Sequence, residues 1–302
     1  MKVLLLGGTG VAGRATLRWL RERGGHDVSA VVRDERGRRV VTELGARPVT
    51  GDQRDPRRLR DWLQDVDVAV DLRVRLPAAS RAVLPGAWRD YVALRDTEAG
   101  RLADAVIDVG TPRLVHDTVT MVYADGGDAW LDEDSPVDAR GFLAANLACE
   151  EHLARVTAAG GVGIALRFGQ FYGPDDAMSR QAARAVRRGF WPLPGAPRAF
   201  SSAVHTDDVG SAVGLAATTR GIEPGVHDVV DEEPLRTEEL LAVLSTAVGR
   251  RVRAPFAPLA RVVPALGRSQ RVRGERFRAA TGWQSTVPTR RIGWPAVLDR
   301  LR

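Results

Sequence analysis

The chain has 302 residues and a mass of 32.7 kDa, enough for one large α/β domain with a smaller appendage. Basic residues outnumber acidic ones 44 to 38 and the pI is near 10.4. The arginines alternate with acids, as in RDERGRR (33–39) and RDPRRLRDW (54–62), rather than forming the one-sided basic patch that binds nucleic acid. The lone cysteine, Cys149, excludes an internal disulfide, and the apolar run Val3–Leu6 is too short for a signal or a membrane span. A cytoplasmic protein with neither nucleic acid nor membrane as partner is expected.

Val3–Leu6 has the length and composition of a buried strand, and Arg14–Arg23, closed by Gly24-Gly25, that of a helix. Strands follow at Asp27–Val32, Arg47–Thr50 and Val66–Leu72. Between the last two lies a helix, Pro56–Gln64, with Asp55 as cap and Pro56 in its first turn. Asp90–Val109 reads as one long helix ended by Gly110. Arg113–Thr118 is a strand, Gly141–Ala158 a helix and Gly163–Phe168 a strand. This βαβ rhythm predicts a Rossmann-type, doubly wound parallel sheet. After Tyr172 the rhythm breaks. A helix at Ala177–Arg188 precedes a proline-rich stretch, VHTDDVGSAVGLAAT (204–218) turns into a helix, and Thr237–Gly249 is a helix capped by Thr237. The expected division is a dinucleotide domain of residues 1–171 with 204–230, and a smaller substrate domain of 172–203 with 231–302.

The first strand runs into Gly7-x-x-Gly10-x-x-Gly13, which opens a helix. One glycine permits the turn, the next admits a pyrophosphate to the backbone, and the third lets helix and strand pack closely. Gly7, Thr9, Gly10, Val11, Ala12 and Gly13 are the expected cradle. At the tip of the second strand an acid would bond the ribose hydroxyl of NAD. Arg33 stands there and suits a 2′-phosphate, although Asp34 follows it. NADP(H) is therefore the expected cofactor. Asp52, with Gln53 beside it, is placed for the adenine or serves as a simple turn. Leu72 and Arg73 end the fourth strand, along the cofactor or aimed into the pocket.

Taken together, GGTGVAG (7–13), GDQRD (51–55), RLVHDTVTMVYAD (113–125), LRFGQFYGP (166–174), VHTDDV (204–209) and TGW (281–283) resemble the extended short-chain dehydrogenase/reductases of the epimerase/dehydratase branch. That resemblance implies a Ser/Thr, Tyr and Lys set in which tyrosine moves the proton and lysine lowers its pKa and holds the nicotinamide ribose. Here the matching slots hold Val119, Phe142 and Asn146. The only lysine is Lys2, and no tyrosine among Tyr91, Tyr123 and Tyr172 is followed by one. Asn146 could still bond a ribose hydroxyl, and Phe142 could pack on a flat substrate.

Thr118 and Thr120 remain as hydroxyls for a substrate carbonyl, with Thr120 the better placed. Adjacent strand residues face opposite ways, so at most one of His116 and Asp117 should reach the site. The resemblance puts Gln170 near the cofactor and Phe171 and Tyr172 near the substrate. Positioning alone accelerates hydride transfer, and a phenol beside a ketone can supply the proton. Such a ketone is found in aromatic polyketides, and the chain, lacking the tyrosine, resembles the angucyclinone ketoreductases. The expected activity is NADPH-dependent reduction of a polycyclic aromatic ketone. The alternatives are a non-catalytic NADP(H) sensor and a cofactor-assisted isomerase or dehydratase.

Overall fold

A computed structural model describes residues 1–77, 84, 86–257 and 267–302, so part of the expected substrate domain, 258–266, lies outside the described residues. Thirteen strands occur among them. They are β1 Lys2–Leu6, β2 Asp27–Val32, β3 Arg47–Thr50, β4 Val68–Asp71, β5 Arg113–Val119, β6 Trp130–Leu131, β7 Val162–Phe168, β8 Gln170–Tyr172, β9 Phe200–Ser201, β10 Ala203–His205, β11 Gly225–Val229, β12 Leu235–Arg236 and β13 Arg271–Val272. The main sheet has seven strands in the order β11-β7-β5-β4-β1-β2-β3, and β3, β2, β1, β4 and β5 pair in parallel. The expected Rossmann-type α/β fold is what is found. Strand order reverses between β1 and β4, the point at which doubly wound sheets bind ligands at their carboxyl edge.

The first helices are α1 Val11–Arg23, α2 Glu35–Glu43 and α3 Pro56–Leu63. Helix α3 forms as its sequence dictates. The Asp55 carboxylate accepts from the Arg57 N–H at 2.9 Å, and Leu59 and Leu63, one turn apart, are fully buried. Helix α2 was not legible. Only Gly37 and Val41 in it are buried, so it carries no apolar stripe, and its start is fixed by the Asp34 carboxylate accepting from Gly37 N–H at 2.7 Å. The long helix expected at Asp90–Val109 is three pieces: α4 Arg89–Ala93, a π-helical segment Leu94–Glu98, and α5 Ala99–Val109. After it come α6 Ala144–Ala158, preceded by a 3₁₀ turn Gly141–Leu143, then α7 Ala177–Arg187, α8 Thr206–Thr218 and α9 Thr237–Val248. Thr237 opens α9 rather than capping it; Arg236 is the cap residue, and its N–H donates to Glu239 at 2.8 Å.

The chain divides into two compact units: residues 1–118, 139–166 and 210–227, and residues 119–138, 167–209 and 228–302. These boundaries differ from those read from the sequence, chiefly because 119–138 go with the second unit. The core of the first unit joins Leu4, Leu6, Leu59, Leu63, Leu102 and Leu114 between sheet and helices. That of the second gathers Tyr172, Trp191, Leu235, Leu240 and Trp294.

Candidate active site

In the first unit the glycine loop has the shape a dinucleotide needs. Gly7 has φ +86°, and a Cβ on it would lie 2.6 Å from the Leu72 carbonyl; a Cβ on Gly13 would lie 2.2 Å from the Gly7 carbonyl oxygen. Neither position admits a side chain. Thr9 and Gly10 are exposed, and Gly10 is the cap residue of α1, so Val11, Ala12 and Gly13 present the first N–H groups of that helix. The Arg14 guanidinium donates to the Thr9 carbonyl at 3.0 Å.

Arg33 is exposed and has no ion-pair partner among the described residues, whereas the Asp34 carboxylate caps α2. A Cβ added to Gly37 would touch Asp34 and Thr9 within 3.4 Å, so the start of α2 lies against the loop. Asp52 is exposed and pairs with Arg54 at 3.1 Å, and Gln53 is half-buried beside it.

The carboxyl ends of β4 and β5 carry what the sequence did not disclose. The Arg73 guanidinium donates to both oxygens of Asp71, at 2.8 and 2.6 Å, and to Glu98 at 2.9 Å. Arg95 pairs with Asp117 at 2.7 Å, also donates to the Asp117 carbonyl, and lies 3.2 Å from His116 Nδ1. His116 Nε2 is 3.4 Å from Asp71. Arg95, His116 and Asp71 are at most 2 % exposed and Arg73 is 7 % exposed. Burial works to raise the Asp71 pKa, but Arg73 and His116 outweigh it and hold the carboxyl well below its usual range. Burial opposes the charge on His116, yet the anionic groups around it, Asp71 and Asp117 among them, raise its pKa above the ordinary value. His116 and Asp117, expected to diverge, meet through Arg95. The π-helical turn makes this possible, because it sets both Arg95 and Glu98 against the strand ends. Arg73 is consequently pinned by carboxylates rather than extended along a pocket.

Three expected site residues have other roles. Asn146 is fully buried; its carbonyl accepts from the Tyr91 hydroxyl at 3.0 Å and its amide donates to the Leu143 carbonyl at 3.1 Å, so its side chain is committed within the protein rather than to a ribose. Thr118 is fully buried and donates to Glu150 at 3.1 Å. Tyr172 is 2 % exposed and donates to Asp231 at 2.9 Å inside the core of the second unit, so it is not a pocket wall. Phe142 is half-buried, stacked on Trp88 at 3.7 Å and edge-on to Tyr91 at 5.9 Å. In the second unit, Thr120 opens a 3₁₀ turn and is 3 % exposed. Gln170 is exposed, and Phe171 is half-buried edge-on to Phe168 at 5.3 Å.

All three tyrosines of the chain are internal. Tyr123 donates to Asp228 at 2.7 Å, Tyr172 to Asp231 and Tyr91 to Asn146; none is more than 3 % exposed. Burial raises all three phenol pKa values, and the charges of Asp228 and Asp231 add to it for Tyr123 and Tyr172. Lys2 lies at the amino end of β1, the opposite end of that strand from the glycine loop.

Residues 3–224 match the NAD dependent epimerase/dehydratase family. The chain belongs to that family. It is 31% identical to a Streptomyces protein named 3-diazoavenalumate denitrifying reductase, with 97% of this chain and 99% of the relative covered. Among solved structures it is similar to MoeE5 in complex with UDP-glucose and NAD, with a TM-score of 0.80 and 21% identity over 99% of both chains. It is also similar to the human epimerase family protein SDR39U1 with NADPH, with a TM-score of 0.76 and 23% identity over 99% of both chains. As a family member the chain binds a nicotinamide dinucleotide, and the loop geometry fits one. No described helix is long and apolar enough to cross a membrane, and no described group of three or more His, Cys, Asp or Glu side chains could hold a metal ion.

Proposed function

We propose that the chain is an NADPH-dependent reductase that hands hydride to a small aromatic molecule without taking a proton from a protein tyrosine. The observation that carries this reading is the internal commitment of all three tyrosine hydroxyls in a chain whose only lysine is Lys2. Hydride transfer itself asks for a bound dinucleotide and an electrophile held in contact. The free Arg33, with Asp34 turned to its cap, supports NADPH over NADH. Gly7, Thr9, Gly10, Val11, Ala12 and Gly13 hold the pyrophosphate in this reading. Within the first unit, Phe142, stacked on Trp88, is the aromatic surface that packs on a flat substrate.

Two acceptors suit such a site. An aromatic ketone beside a phenol, the expectation from the sequence, draws its proton from the substrate or solvent. The named Streptomyces relative favours the other, an aromatic diazo group. Hydride addition to an arenediazonium and loss of dinitrogen gives Ar–N₂⁺ + NADPH → Ar–H + N₂ + NADP⁺, which balances with no proton at all. The test is NADPH absorbance with product analysis, using a diazotised aminocinnamate and 1-hydroxyanthraquinone-type ketones. Oxidation of NADPH with one of these acceptors is the expected result, and the acceptor that reacts assigns the chemistry. Cofactor binding without turnover across both classes would overturn the reductase reading in favour of a sensor. Substrate conversion without net NADPH use would favour an isomerase or dehydratase.

A further inference from the structure

The ion pairs at the ends of β4 and β5 form one connected group. It holds three carboxylates, Asp71, Glu98 and Asp117, and three basic side chains, Arg73, Arg95 and His116. Two contacts fix its place. On one side it adjoins the glycine loop through the backbone: Asp71 pairs in register with Leu6, the residue before Gly7, and a Cβ on Gly7 would lie 2.8 Å from the Arg73 backbone nitrogen. On the other, the Arg95 guanidinium lies 5.4 Å from the ring centre of Tyr91, and Tyr91 bonds Asn146, the residue in the family's lysine slot. The group therefore runs along the carboxyl edge from the strand end that leads into the glycine loop to Tyr91, the hydrogen-bond partner of Asn146.

We infer that this buried group, neutral overall but with its charges fixed in place, sets the local field at the nicotinamide and so the relative affinity for reduced and oxidised cofactor. The inference rests on the dinucleotide reading of the loop. Its physical basis is that oxidation adds a positive charge to the nicotinamide ring, while charges locked in a dry, hydrogen-bonded network cannot reorganise to screen it. Removing one charge of the group leaves its opposite uncompensated, and the two kinds of removal must act with opposite sign. Arg95 and Asp117 are positioning residues here, acting through the field they leave at the ring.

The test uses the full chain and the direct dissociation constants of NADPH and NADP⁺, measured by calorimetry without substrate. Asp117→Asn leaves a surplus cation, so NADP⁺ should weaken relative to NADPH by about tenfold, the scale of one unit charge acting through a protein interior of effective dielectric near 20. Arg95→Met leaves a surplus anion and should move the ratio by about the same factor the other way. The double variant should return it to the parent value. Glu98→Gln, at a less deeply buried position, keeps the test alive if the other variants fail to fold, and should move the ratio in the direction of Asp117→Asn by about threefold. Ratios that do not change, or that move without regard to the sign of the charge removed, overturn the proposal. A parent protein that binds neither nucleotide refutes the cofactor reading instead.

Discussion

Each unit buries carboxylates, and the two treat them differently. In the first, Asp71 and Asp117 meet guanidinium groups and His116, and charge is kept inside the fold. In the second, Asp228 and Asp231 each accept from a neutral phenol, Tyr123 and Tyr172. A buried ion pair holds its charge whatever the pH near neutrality, whereas a carboxyl met by a phenol can take up a proton and become neutral. Burial pushes Asp231 up to about 8, against the hydrogen bond from Tyr172. The first arrangement suits a site that must present a constant field. The second suits a structural core, and it keeps the hydroxyls of Tyr123 and Tyr172 bonded within the protein.

Breaking the first arrangement should have the largest effect. Arg95→Met leaves Asp117 buried without its cation and should lower stability by about 3–5 kcal/mol, read from urea denaturation. Arg95→Met with Asp117→Leu removes both charges and should recover most of that loss. A single variant as stable as the parent would mean that water already reaches the pair.

A smaller effect, of opposite character, is expected at Asp231. Its folded pKa, pushed up to about 8 by burial, lies above the ordinary carboxylate range, so the folded state holds the proton more tightly than the unfolded chain. The stability this contributes is complete below pH 4 and lost as pH rises toward about 8. Asp231→Asn cannot ionise, should flatten the fall of melting temperature between pH 4 and 8, and should be the more stable protein at pH 8 by about 1–3 kcal/mol. A parent protein whose melting temperature is level across that window would show Asp231 to be ionised and compensated throughout, with Arg290, whose charge also acts on it, as the compensating group.

Arg33→Ser acts at the rim of the first unit rather than in its buried edge. It should weaken NADPH binding about tenfold and leave NADH nearly unchanged, because only NADPH carries the 2′-phosphate. Equal weakening of both would return Arg33 to an ordinary loop residue.

How far the sequence revealed these regions follows from the range of the forces involved. The strand of β1, the glycine turn and the capped helix α3 are written in local patterns, an apolar run, a spacing of three, an Asp-Pro start, and they formed where expected. The ion-pair group was not legible, because Asp71, Arg95 and Asp117 are far apart in the chain and a π-helical turn brings Arg95 to them. Helix periodicity predicts a straight α-helix there and points Arg95 elsewhere. The fates of Asn146 and Tyr172 were misjudged for the same reason. Their partners, Tyr91 and Asp231, stand 55 and 59 residues away.

The smallest expected effect is on restoring the lost relay. Phe142→Tyr with Asn146→Lys would rebuild the family's Tyr-x-x-x-Lys spacing. Phe142 is stacked on Trp88 at 3.7 Å, and a lysine at 146 would be placed in a fully buried site whose partner, Tyr91, already has the Arg95 guanidinium over its ring. The ammonium would meet a like charge and lose its hydration, so its pKa would fall and it would enter the site neutral. Turnover with a ketone acceptor should therefore rise less than about threefold above the parent, measured at saturating NADPH. A large gain would mean that the slot stays open to substrate and that only the two side chains were missing.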